Sequence, residues 1–240
     1  MGLGKMGSVV PAPAIAMLRL IHADPWLLVV EKPAGLLSQP GLGPAQADSL
    51  ISRAQRYWPE ARLVHRLDRD TSGLILLARD ADTHRRLSAA FAERRVRKTY
   101  LARVHGVPVA PGGLIDQPIA RITTRPPRYG VVPEGQGGRR SLTRWRRLAD
   151  PAAQPASPLP PTCPLLLQPL TGRSHQLRVH MAWLGHPLLG DPLYAAPQGG
   201  ALAMEPGLQL LAAGLRLQHP VTGEPLRFRR LNAAPGCGSL

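Results

Sequence analysis

At 240 residues and 44 % hydrophobic composition, the chain can bury one sizeable core but is short for two independent domains. Lys and Arg total 30 against 15 Asp and Glu, a formal net charge of +15, and every basic residue except Lys5, Lys32 and Lys98 is an arginine. That guanidinium excess suits a polyanion, with nucleic acid ahead of an anionic membrane surface, while two cysteines without CxxC spacing argue against a disulfide framework or a zinc site.

No stretch reaches the roughly 18 apolar residues of a membrane span, and Met1 to Ala16 is too broken by proline for a signal peptide, so a soluble cytoplasmic protein is expected. Residues 1–16 read as a flexible leader, 17–232 as one folded domain and 233–240 as a tail. Trp26 to Val30 predicts a buried strand closed by the Lys32-Pro33-Ala34-Gly35 turn. Residues 48–57 predict a short helix begun by Asp48 or Ser49. The apolar run Gly73 to Ala78 predicts a second buried strand, entered from the loop His65-Arg66-Leu67-Asp68-Arg69-Asp70-Thr71-Ser72-Gly73.

Residues 81–95 predict a helix with Leu87, Ala90, Phe91 and Arg94 in one stripe. Thr99 to His105 alternates as a strand ending at Gly106, which puts Tyr100 on a rigid element. The arginine-rich stretch 121–147, with Pro126-Pro127 and several glycines, predicts a long basic hairpin or loop rather than a core element. The Pro/Ala-rich segment 150–161 predicts a surface connection. Pro164 to Leu170 predicts a strand, and Thr171-Gly172-Arg173-Ser174 a turn and N-cap opening a helix through Leu184, with Leu177, Met181 and Leu184 on its apolar face. Arg178 lies about 100° round that helix from Leu177, placed to leave the core edge and reach toward a cleft. Leu208 to Leu217 is the last strand expected, before a turn at Pro220 to Gly223.

Phosphate-loop, dinucleotide and nucleophile-elbow spacings are absent. His175 and His180 are five apart and do not share a helical face as a zinc pair would, so they read as packing or phosphate-contacting residues, and no metal is implied. Asp68 stands between arginines, which suits chemistry on an anion but equally suits a turn with a surface ion pair.

Four segments taken in order remove that ambiguity. His65 to Gly73, then Arg97-Lys98-Thr99-Tyr100, then Leu170-Thr171-Gly172-Arg173-Ser174-His175-Gln176-Leu177-Arg178-Val179-His180, and finally Gly185-His186-Pro187-Leu188-Leu189-Gly190-Asp191 resemble the RluA family of RNA pseudouridine synthases. Glu31-Lys32-Pro33-Ala34-Gly35-Leu36 matches that family's first strand and turn, so the likeness runs from about Leu18 to Arg230. Many relatives carry an N-terminal S4-type RNA-binding module, and the short leader here resembles the compact branch without one.

The resemblance implies an α/β (α+β) domain built on a long mixed, mainly antiparallel sheet with a basic cleft. A uridine is flipped out of its RNA into that cleft and isomerised without cofactor or metal. It maps the nucleophile onto Asp68, the arginine that pairs with it onto Arg178, and the tyrosine that stacks on the uracil onto Tyr100. Arg66 would fill the stack left by the extruded base, and His65, Arg69, Lys98, Arg173 and His175 are further candidates for RNA contact. Isomerisation breaks the N1–C1′ bond and remakes it at C5, and a carboxylate adding to C1′ or to C6 would hold one fragment while the base turns. Tyr100 is a candidate base for the C5 proton or a stacking platform only. The expected partner is 23S rRNA, a tRNA anticodon stem-loop, or both, with no membrane, no protein partner and a monomeric state. The competing expectation is a non-catalytic RNA-binding or ribosome-assembly factor using the same cleft.

Overall fold

The computed structural model describes residues 18–124, 127–148, 161–195 and 207–230. The expected leader, the C-terminal tail, the Pro126 turn and nearly all of the Pro/Ala-rich connection lie outside those residues. In chain order the elements are β1 (Arg19–Ala23), β2 (Leu27–Lys32), α1 (Leu50–Ala54), β3 (Arg62–Leu63), β4 (Ser72–Ala78), α2 (Ala81–Ala92), β5 (Arg97–His105), β6 (Gly112–Asp116), β7 (Ile119–Thr124), β8 (Pro127–Val131), β9 (Leu142–Arg147), β10 (Thr162–Pro169), α3 (Gln176–Trp183), β11 (Leu210–Gln218) and β12 (Pro225–Arg229).

One ten-stranded sheet runs β1-β2-β4-β11-β5-β10-β9-β6, with β12 also paired to β11 and β3 to β4, while β7 and β8 form a separate antiparallel ribbon. The β4–β11 pair is parallel and the other pairings are antiparallel. This is the mixed, mainly antiparallel sheet of an α/β domain. Alternation along β2 sends Leu28 and Val30 to one face and Leu27 and Val29 to the other, and β4 does the same with Ile75 and Leu77 against Leu74 and Leu76. Both faces are covered there, by α1 on one side and Leu87 and Ala90 of α2 on the other, which is why these strands read as unbroken apolar runs.

On the α1 side of the sheet a second cluster gathers Ala102, Val104, Leu165 and Leu167 beneath Leu177 and Met181 of α3. Tyr100 packs against both clusters and marks the seam between them. Two backbone devices shape that seam. Gly73 has φ +117°, and a Cβ there would stand 2.4 Å from the carbonyl oxygen of Ala212, so only glycine lets β4 come this close to β11. Opposite Tyr100, the β5–β11 register shifts between Ala212 and Gly214, a bulge that re-aims the strand beside the cleft.

Three expectations are corrected. The helix expected over 81–95 ends at Ala92, and Arg94, at φ +60°, turns the chain out of it instead of extending its stripe. The stretch 121–147 is not all basic ribbon, because Leu142–Arg147 is β9 of the main sheet, with Thr143 and Trp145 buried beneath the outward arginines. Ser174 does not cap α3; that position belongs to His175 in the left-handed conformation, φ 54° and ψ 17°, with no side-chain cap.

Candidate active site

The loop from Leu63 to Ser72 is held at three points. Ser38 Oγ donates to the carbonyl of Leu67 at 2.7 Å and accepts its N–H at 3.1 Å. The fully buried Lys32 reaches 37 residues along the chain, its Nζ donating to the carbonyls of Arg69 at 2.7 Å, Leu36 at 2.6 Å and Pro33 at 2.9 Å. Burial draws the Lys32 pKa down to about 8 against the opposing pull of Asp70 and Asp68. His65 Nε2 accepts the N–H of Leu76 at 3.0 Å and its ring stacks on Phe91 at 4.5 Å. An amide can only donate, so Nε2 is unprotonated, and burial holds the His65 pKa down near 3.

The loop so fixed presents Asp68 at the mouth of an open cleft of about 1000 Å³. Arg178 faces it from α3, with Nη1 3.8 Å from Asp68 Oδ2. The main partner of Arg178 is nevertheless Asp191, which takes Nε at 2.8 Å and Nη2 at 2.7 Å in a bidentate fork. The side chain reaches the cleft as expected, but from a buried position: it is 3 % exposed and Asp191 is fully buried. Burial works against its charge, yet the Asp191 bonds raise its pKa further. With Nε and Nη2 committed, the fork leaves Nη1 for Asp68. Asp191 Oδ1 also accepts the N–H groups of Leu193 and Tyr194, which fastens the turn after α3 to the same carboxylate.

His175 brings Nε2 to 3.9 Å from the same Oδ2, and its Nδ1 lies 2.7 Å from the Tyr194 hydroxyl. Gln176 pins the start of α3 to β9: its Oε1 accepts from Thr171 Oγ1 and the Arg173 N–H, and its Nε2 donates to the Leu142 carbonyl. His180, by contrast, is buried on Thr143 and the Gln117 carbonyl, a packing role. Tyr100 lines the cleft beside Asp68, and burial, aided by the Asp68 charge, pushes its phenol well above the usual tyrosine value. Lys98 lines the same wall, its pKa lowered by desolvation.

The structure thus gathers Asp68, Tyr100, Arg178, Arg66, His65, Lys98, Arg173 and His175 around one cleft. Arg69 is not part of its lining and pairs with Asp70 at 3.0 Å on the surface. His65 forms a wall with its Nε2 already committed to the backbone. Sequence reasoning missed Lys32, Asp191 and Tyr194 as site residues. Lys32 and Asp191 lay inside segments singled out for their family resemblance, but a buried partner far along the chain has no local signature.

Residues 26–183 match the family model described as RNA pseudouridylate synthase. The chain belongs to that family. It is 41 % identical over 217 residues, 90 % of this chain and 94 % of the relative, to the dual-specificity RNA pseudouridine synthases RluA of Salmonella typhi and Escherichia coli K12. Among solved structures, human RNA pseudouridylate synthase domain containing 1 superposes with TM-score 0.71 at 28 % identity, over 97 % of this chain and 86 % of that one. Human domain containing 4 gives 0.69 at 27 % identity, over 91 % and 89 %. The chain is an RluA-family pseudouridine synthase, an isomerase that converts uridine to pseudouridine in RNA. Among the described residues no helix is long and apolar enough to cross a membrane.

Proposed function

We propose that this synthase isomerises particular uridines in structured RNA, in 23S rRNA, a tRNA anticodon stem-loop or both, through nucleophilic attack by Asp68 on a base flipped into the cleft. The observation that carries the reading is the approach of Arg178 and His175 to one oxygen of Asp68, Oδ2, on a loop braced from three sides. Oδ1 is then the oxygen that attacks, at C1′ or at C6 of the uracil. In either route the N1–C1′ bond breaks, the C5–C1′ bond forms, C5 loses its proton and N1 gains one.

Tyr100 serves as the face on which the uracil stacks, since its phenol is held protonated and a phenolate base is disfavoured. Arg66 is exposed at the rim, placed to enter the stack as the base leaves, which offsets part of the few kcal/mol that extrusion costs. Lys98, Arg173 and the exposed face of β9 offer cations along the cleft wall. Arg69, outside the cleft, would meet RNA only beyond it. The single catalytic unit, residues 17–232, acts as a cytoplasmic monomer without cofactor or metal.

The test is release of tritium from uridine C5 in unmodified 23S rRNA and in unmodified tRNA, with wild type and Asp68→Ala. Release by wild type and none by Asp68→Ala is expected. Intact RNA binding without release from either substrate would instead favour an assembly factor.

A further inference from the structure

One hydroxyl bonds both the basic ribbon and the histidine that approaches Asp68. Tyr194 Oη accepts the N–H of Tyr129 on β8 at 3.1 Å and lies 2.7 Å from His175 Nδ1, and Arg128 Nη2 adds a second tie from the ribbon to the Leu193 carbonyl at 2.7 Å. The Tyr194 ring also lies 5.1 Å from the Arg178 guanidinium carbon, and its own N–H bonds to Asp191. One residue therefore touches both groups that approach Asp68.

We propose that Tyr194 is a positioning residue for the Asp68 chemistry: anchored on the β8 backbone, its hydroxyl fixes His175 as the Nε2–H tautomer facing Asp68. This rests on the reading of Asp68 as the nucleophile. The Asp68 carboxylate beside Nε2 selects the tautomer. The Tyr129 amide can only donate, so Oη spends one of its two lone pairs there and keeps its own proton available to His175 Nδ1. The ring proton then sits on Nε2, the nitrogen 3.9 Å from Asp68 Oδ2. The reverse tautomer would turn an Nε2 lone pair toward a carboxylate oxygen. Burial lowers the His175 pKa despite the opposing Asp68 charge, which favours the neutral ring and makes its tautomer consequential. His175 can hold this place only because it sits in the left-handed conformation at the head of α3, turned out of the helix.

The test uses the full chain and Tyr194→Phe, which keeps the ring over Arg178 and removes the hydroxyl. Long-range 1H–15N spectra of His175 are expected to show Nε2–H in wild type and Nδ1–H or a mixture in Tyr194→Phe. In the tritium assay kcat should fall at least about 10-fold with KM within about 3-fold, and in a His175→Ala background the same change should cost no more than about twofold. An Nδ1–H ring in wild type, an unchanged kcat, or a loss that persists in full without His175 would overturn the proposal. Continued tritium release by Asp68→Ala would overturn the nucleophile reading instead, and is told apart because it leaves the wild-type His175 spectrum as expected.

Discussion

Asp191 is not part of the cleft lining, yet the geometry of the cleft depends on it, because two of the three nitrogens of Arg178 are committed to its oxygens. Asp191→Asn should leave the guanidinium buried with a weaker partner, free to collapse onto Asp68. Urea unfolding is expected to show a loss of about 3–5 kcal/mol, the usual cost of breaking a buried pair from one side, with tritium release reduced more than RNA binding. Lys32→Met keeps the volume but abandons three carbonyls, and should destabilise by about 2–4 kcal/mol while slackening the Asp68 loop. Tyr100 should stay protonated through the pH at which free tyrosine is half ionised, about 10, so the tyrosinate absorbance of wild type and of Tyr100→Phe should coincide there. Asp68, Tyr100 and Arg178, which the structure gathers at one cleft, were picked out by the family resemblance of the short segments that hold them. Lys32 and Asp191 were not, because a lysine that ends 37 residues away on a carbonyl looks, locally, like any surface lysine.

Elements show the same division. β2, β4 and β10 announce themselves as apolar runs, whereas β9 hides its alternation of Thr143 and Trp145 behind Arg144, Arg146 and Arg147. The head of α3 was misplaced because no side chain caps it; Gln176 and a left-handed His175 do that work through contacts with β9 and Tyr194. The Gly73 approach gives a direct test: Gly73→Ala must push β4 from β11 and adopt a strained φ, and a loss of about 2–4 kcal/mol in urea unfolding is expected. Farther from the cleft, Asp24 Oδ2 meets His22 at 2.9 Å and His219 at 3.3 Å, tying the β1–β2 turn to the turn before β12. Burial opposes its ionisation, but the bonds from His22 and from the Leu27 and Trp26 amides outweigh it and hold the carboxyl below its usual value. The unfolded chain therefore takes up that proton first as pH falls. The stabilisation is complete above about pH 4 and disappears as pH drops through the lower folded value, so Asp24→Asn should flatten the acid limb of stability against pH.

Over the whole molecule, a net charge of +15 with acids concentrated in ion pairs makes RNA affinity steeply salt-dependent. Replacing Arg144 and Arg173, both in the cleft wall, with Gln should reduce the slope of log K against log salt by about 0.7–0.9 for each phosphate that is no longer neutralised. Asp68 comes from the part of the sheet built of β1 to β4, while Tyr100, Arg178 and Asp191 come from the part beginning at β5, and the two parts meet in the sheet through β11. That central strand is Leu210–Gln218, nearly the last piece of sheet to be made. A chain emerging from the ribosome therefore holds the Asp68 loop and Arg178 before it has the strand that unites them. The cleft between the two parts is therefore complete only once residues 210–218 are available to pair with both β4 and β5, so folding of the site waits on nearly the whole chain.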